Sequence, residues 1–171
     1  MATPRILVAH YSRSGRTRRI AEELAEALGA DLEPIRDRTD RRGIVGYLRS
    51  GFESLLAASG PIERPAHDPG RYDLVVVGTP VWASGLSTPV RTWLWMEHDR
   101  LPRVAFFLTH GGSGAARVFG QMTRLAGKPV ATLALREGEI DRDRHAEKLA
   151  AFAAEVQQRA ARAARRRRRS A

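Results

Sequence analysis

Apolar residues along this chain alternate between two spacings. Residues 5–11, RILVAHY, form a short apolar run rich in strand formers. From Gly15 to Leu28 the apolar positions Ile20, Leu24 and Leu28 come every fourth residue. That period predicts one buried helix face, and Gly29 stops the helix. DLEPIR at 31–36 predicts a short strand, placed at a sheet edge because Pro34 has no N–H to give a ladder. Ile44, Leu48, Phe52, Leu55 and Leu56 return to helical spacing. DLVVVG at 73–78 is continuously apolar, as a strand buried on both faces must be. A loop, TPVWASGLSTP, leads into a helix from about Pro89 to Glu97. VAFFLT at 104–109 predicts the fourth strand, followed by HGGSG and a helix carrying Val118, Met122 and Leu125 that ends at Gly127. PVATLAL at 129–135 predicts the last strand. A final helix is expected from near Asp141, with Leu149, Phe152, Val156 and Ala160 on one face.

Strict alternation of strand and helix, with continuously apolar strands, predicts a parallel sheet covered by helices on both faces. In such a sheet a ligand binds beyond the carboxyl ends of the strands, where the strand order reverses. The loops after strands one, three and four therefore hold the candidate chemistry.

Composition narrows the chemistry further. The 171 residues suit one domain, and a hydrophobic content of 43% suits a folded core. There is no cysteine, which excludes disulfides, thiolate nucleophiles and thiolate metal sites. No stretch is long and apolar enough for a membrane span, and the first residues lack the order of a signal peptide. A cytoplasmic location is the expectation. The formal net charge is +10, but seven arginines lie in the stretch RAARAARRRRRSA from Arg159 onward, and without them the charge falls to +3. The reading is a domain over residues 1–158 and a tail over 159–171 that ends the last helix and frays into solvent. Weak contact of this tail with nucleic acid or anionic membrane is the less favoured expectation.

The first loop reads Ser12-Arg13-Ser14-Gly15-Arg16-Thr17. It offers three hydroxyls, a glycine that lets backbone approach closely, and free amides at a helix start. Together these make a phosphate cradle. The alternative is an ordinary cap made by Ser14. Arg16, Arg18 and Arg19 crowd the first turn, where the helix dipole favours acids, and an incoming anion would account for them. The loop is neither a Walker loop nor the GxGxxG dinucleotide fingerprint.

With this loop the sequence resembles flavodoxins, whose first loop, Ser/Thr-x-Thr/Ser-Gly-x-Thr, wraps the phosphate of FMN. The resemblance continues through GTPVWASGLSTPVRTWL at 78–94 and FFLTHGGSG at 106–114, and spans roughly residues 5–135. It implies a three-layer flavodoxin-like α/β fold with a five-stranded parallel sheet in the order 2-1-3-4-5. It also implies FMN held by Ser12, Ser14, Gly15, Arg16 and Thr17 at the phosphate. Pro80, Val81, Trp82 and Ala83 would lie on one side of the ring, and Thr109, His110, Gly111, Gly112, Ser113 and Gly114 on the other. Trp82 could stack on the ring or pack against the following helix. The glycine-rich third loop could present amides to the ring edge or simply turn into its helix. His110 could stabilise the reduced, anionic flavin when protonated or merely cap its strand. Unlike many flavodoxins, the third loop has no aromatic before Phe119, which implies an open ring face. No acid occurs in the three loops, which implies a raised potential for the reduced flavin.

A receiver domain shares the order of elements but needs acids where this chain has His10-Tyr11 and Thr79-Pro80. The resemblance implies no side-chain acid or base, because the flavin carries the chemistry. The implied activity is electron transfer to a redox partner protein or a small-molecule acceptor. An NAD(P)H-dependent reductase of quinones is the alternative. From another class comes a flavin-free binding module acting through its basic tail. Nucleic-acid readers interleave aromatics with basic residues, and this tail has none.

Overall fold

The structure, a computed structural model, describes residues 3–38 and 60–169. The helix expected on Ile44, Leu48, Phe52, Leu55 and Leu56 lies outside these residues.

The elements in chain order are β1 (Ile6–His10), α1 (Arg16–Leu28), β2 (Asp31–Pro34), β3 (Leu74–Trp82), β4 (Gly85–Leu86) and α2 (Thr88–Glu97). They continue with β5 (Arg103–His110), α3 (Ala115–Ala126), β6 (Thr132–Arg136), α4 (Glu137–Asp141) and α5 (Ala146–Arg169). The strand order is β2-β1-β3-β5-β6, and every neighbouring pair in it is parallel. Counting those five strands, this is the expected order 2-1-3-4-5. The reversal of order falls between β1 and β3.

Side-chain alternation divides the core in two. Ile6, Val8, Leu74, Val76, Ala105 and Phe107 face α1 and α5, packing with Ile20, Leu24, Phe152 and Val156. Leu7, Ala9, Val75, Val77, Phe106 and Leu108 face the other way, against Val90, Trp93, Val118 and Met122 of α2 and α3. A strand whose successive residues enter two different cores has no polar position to spare, and that is why these runs are continuously apolar.

Three features differ from the expectation. The third parallel strand does not end at Gly78 but runs to Trp82, where it folds back antiparallel onto β4. Ala83 and Ser84 make this two-residue turn at φ 45° and 59°. Positive φ at both positions is the turn whose twist matches that of the flanking strands. Neither residue is the Asn or Gly that would have announced it. Next, the segment near Asp141 forms the short helix α4, and the last helix starts later, at Ala146. Finally, that helix stays regular through the arginines to Arg169, with Ala160 and Ala164 buried along it.

Gly78 lies where β3 passes the ring of Phe107. A Cβ built on it would sit 2.0 Å from that ring, closer than any real contact. Replacement Gly78→Ala is expected to destabilise the fold by roughly 2–3 kcal/mol through overpacking of a buried aromatic. Urea unfolding checks this, and an unchanged midpoint would show that the strand pair can separate freely.

Candidate functional site

The first loop leaves the carboxyl end of β1 and turns tightly into α1. Ser12 Oγ accepts the Gly15 N–H at 3.1 Å, closing the turn on itself. Gly15 is the residue that starts the helix, at φ 99°, a left-handed conformation that favours glycine. No side chain caps α1. Ser14 is exposed and does not cap, so the alternative of an ordinary serine cap is set aside. The first-turn amides are therefore left for water or a ligand.

Thr17 is buried under this turn, and its hydroxyl lies 2.8 Å from that of Thr109 at the end of β5. In such a pair one hydroxyl donates to the other, and the acceptor keeps its own hydrogen for a third group. A residue expected at the phosphate and one expected beside the ring are thus in direct contact.

The opening arginines are held by acids from elsewhere in the chain. The Arg16 guanidinium makes a two-pronged contact with Asp141, at 2.8 and 2.9 Å, and lies 3.6 Å from Glu137. Arg19 donates to Glu23 at 2.9 Å, to the Ile140 carbonyl at 3.2 Å, and to Asp143. These contacts hold the Asp141 and Asp143 carboxyls below the usual carboxylate range, the hydrogen bonds from Arg16 and Arg19 being the main cause. The Arg16 side chain is thus committed to α4, which leaves its main-chain amide at the uncapped helix start. Counting acids only in the three loops missed this clamp. The signal for it was present: REGEIDRD places four acids directly after the last strand, at the same sheet edge.

The second loop is the β3–β4 hairpin. Pro80, Val81 and Trp82 belong to the strand, and Ala83 begins the turn. Two side-chain contacts fix the hairpin: Thr79 and Ser87 hydroxyls lie 2.8 Å apart, and the buried Gln121 amide oxygen of α3 accepts the Leu86 N–H at 2.8 Å. Trp82 is only 6% exposed and meets Tyr11 of the first loop edge-to-face, with centroids 5.3 Å apart and planes at 86°. Its buried partner is Tyr11, and the hairpin carries it to the first loop.

The third loop follows β5. Thr109 and His110 are the last residues of that strand, and Gly111, Gly112 and Ser113 form the exposed turn. Gly114 starts α3 at φ 87°, and a Cβ there would come within 2.7 Å of the Ser84 Cα. The second and third loops therefore touch, and only glycine lets them. His110 is buried, and its pKa is pushed down, first by desolvation and then by Arg136. Both causes favour the neutral imidazole over the protonated one.

A cleft of about 780 Å³ opens beside the first loop, lined by His10, Tyr11, Ser12, Arg13, Pro34 and Arg36 among others. No residue of the second or third loop lines it, so it flanks the three-loop edge rather than filling it. His10 forms its floor, 3% exposed, with no hydrogen-bond partner for Nδ1 among the described residues.

A doubly wound parallel sheet, with three loops meeting at the reversal point and an uncapped helix start among them, defines a crevice-binding α/β protein. The chain belongs to the flavodoxin family, whose model, described as flavodoxin, matches residues 5–155. No curated protein matches the sequence significantly. Among solved structures it is similar to a flavoprotein from Lactobacillus acidophilus crystallised in complex with FMN, at 24% identity and TM-score 0.68, over 82% of this chain and 98% of that one. It is also similar to oxidised flavodoxin 1 from Bacillus cereus, at 15% identity and TM-score 0.53, over 90% and 97% of the two chains. A flavone reductase matches at 13% identity and TM-score 0.57, over 92% of this chain and 62% of that one.

Burial pushes the pKa of His10 down to about 4, with Arg18 adding to the effect. Between that value and the ordinary 6.5 the unfolded chain binds a proton that the folded chain refuses, so stability falls as the pH drops through this window. His10 is expected to account for about 3 kcal/mol of lost stability on going from pH 7 to pH 4. His10→Asn should flatten the dependence by most of that amount. Denaturant unfolding of both proteins across the range is the check, and parallel curves would remove the assignment.

Proposed function

We propose that the chain binds FMN noncovalently at the carboxyl edge of its sheet and works as an electron-transfer protein. One observation carries the reading. The start of α1 has no side-chain cap and is entered through a left-handed glycine, with the hydroxyl residues Ser12, Ser14 and Thr17 beside it in the chain. Amides pointing out of a helix start, with short hydroxyls and no cap, suit a phosphate group. Membership of the flavodoxin family and the fold shared with an FMN complex support the same ligand.

The remaining residues fit that group as follows. The amides of Arg16 and Thr17, with the Ser14 hydroxyl, hold the phosphate. The Thr17–Thr109 pair fixes the cradle against the end of β5 and keeps one hydroxyl hydrogen for the ligand. Tyr11 and Trp82 give an aromatic wall between the first two loops, carried by Pro80, Val81 and Ala83. The amides of Gly111, Gly112, Ser113 and Gly114, with Thr109 and His110 beneath them, border the opposite side and exclude no acceptor. FMN, when bound, supplies reversible one- and two-electron chemistry. In the chain without the group, burial and Arg136 lower the His110 pKa, which disfavours a protonated role.

The electron acceptor is a redox partner protein or a small molecule. The third loop favours the second: no aromatic stands between His110 and Phe119 to cover the ring, so a flat acceptor can reach it. An NAD(P)H-dependent reductase of quinone-like acceptors is therefore the second reading, and the fold shared with a flavone reductase fits it. No helix among the described residues is long and apolar enough to cross a membrane. We place this work in the cytoplasm.

Purified protein should show flavin absorption, with FMN released by heat at near one per chain. Apoprotein should bind FMN far better than riboflavin, which lacks the phosphate. Ser14→Ala should weaken FMN binding by about tenfold, the worth of one hydrogen bond to a charged group, with unfolding unchanged. Equilibrium dialysis measures both, and equal affinity for FMN and riboflavin would remove the cradle. Steady-state oxidation of NADH or NADPH with a quinone separates reductase from carrier.

A further inference from the structure

The arginine-rich end of α5 takes no part in the electron-transfer site. It lies at the opposite end of the sheet, where β1, β3 and β5 begin. Ala160 and Ala164 bury the helix against the body, and Arg167 donates to the main-chain carbonyls of Tyr72 at 3.2 Å and Gly70 at 3.1 Å. The arginines around Arg167 therefore stand on a docked helix rather than on loose chain. Arg162, Arg165, Arg166, Arg168 and Arg169 are exposed.

Arginines of distant segments join them. Arg5, Arg71, Arg167 and Arg168 line a depression of about 280 Å³, and Arg103, Arg166 and Arg167 line a neighbouring one of the same volume. Asp73 borders both depressions, and Asp68 lies 3.8 Å from Arg71. The cations outnumber these acids.

We propose that this end of the molecule is an anchoring surface for the phosphate backbone of duplex nucleic acid, contacted without regard to base sequence. Charge density is the first argument. Seven arginines lie between Arg159 and Arg169 with no acid among them, and the first, Arg159, pairs with Glu155 at 3.4 Å one turn earlier. At about 1.5 Å of rise per residue they occupy roughly 15 Å of helix, or one cation per ~2 Å. A duplex carries one phosphate charge per ~1.7 Å of its axis, and because helical side chains point round the axis, about four of these arginines face any one duplex.

Guanidinium chemistry is the second argument, because its forked donors match phosphate oxygens in pairs. Rigidity is the third: a helix already pinned through Arg167 loses less freedom on binding than a free tail would. A membrane surface fits less well. Helices that lie in a bilayer interface pair basic residues with large apolar ones, and beyond Val156 this helix has none. Docked on the helix flank, the arginines reach phosphates and not base edges, so no sequence preference follows. A duplex held here leaves the three-loop edge open.

The test is fluorescence anisotropy of the full chain with two labelled DNA duplexes of about 20 base pairs and unrelated sequence. Both should bind equally well. With about four phosphates neutralised, affinity should fall roughly a hundredfold between ~50 and ~200 mM salt. Changing Arg162→Gln, Arg168→Gln and Arg169→Gln together spares the Arg167 contacts. That variant should bind at least tenfold more weakly and with a shallower salt slope, at unchanged circular dichroism. The same three positions changed to lysine should keep most of the affinity. Duplex binding that is absent at low salt, or unaffected by the glutamine variant, would overturn the proposal. So would tighter association with vesicles of phosphatidylcholine and phosphatidylserine than with either duplex.

Discussion

Parallel pairing of β2, β1, β3, β5 and β6 puts all five carboxyl ends along one edge, and every other feature follows from that arrangement. Parallel ladders need crossovers, crossovers bring helices onto both faces, and the strands between them must be apolar on both sides. The same ladder gathers three loops that are far apart in sequence. It also sends the two ends of α5 to opposite ends of the molecule, so that the crevice and the arginine cluster are kept apart.

Within that frame, short polar contacts hold the edge in register. Thr17 to Thr109, Thr79 to Ser87 and Gln121 to the Leu86 amide each join two segments that the ladder alone would leave independent. Each polar group is buried, and an unpaired one would cost more than the bond contributes. The loops at the carboxyl edge are thereby held in place relative to one another before any ligand arrives.

The arginines at the start of α1 show how charge can mislead when read locally. Cations in a first turn oppose the helix dipole, and an anion is the natural explanation. The structure supplies the anions from within: Asp141, Asp143 and Glu137 reach Arg16 and Arg19 across more than a hundred residues of sequence. This releases the helix amides to face outward while the guanidinia fasten α1 to α4. Read locally, the terminal arginines form a solvated, fraying tail; they are solvated, but burial of Ala160 and Ala164 carries the helix through them.

Much of this protein was legible from its residues. Continuous apolar runs, helical spacing and glycine stops marked the parallel strands and most helices, because burial on two faces leaves no other composition open to a strand. Ser12-Arg13-Ser14-Gly15-Arg16-Thr17 was legible as a turn into a helix for the same local reason: glycine alone takes φ 99° without strain. What stayed hidden depends on partners distant in sequence. The β3–β4 turn through Ala83 and Ser84 lacks the Asn or Gly at its two central positions that would announce it, and Ser84 packs closely on Gly114. Trp82 became a neighbour of Tyr11 only when the hairpin folded back, and Arg16 found Asp141 only when β6 placed α4 beside α1. Local propensity acts over a few residues. Contacts of this kind are decided by which strands lie side by side, and only the folded chain contains that information.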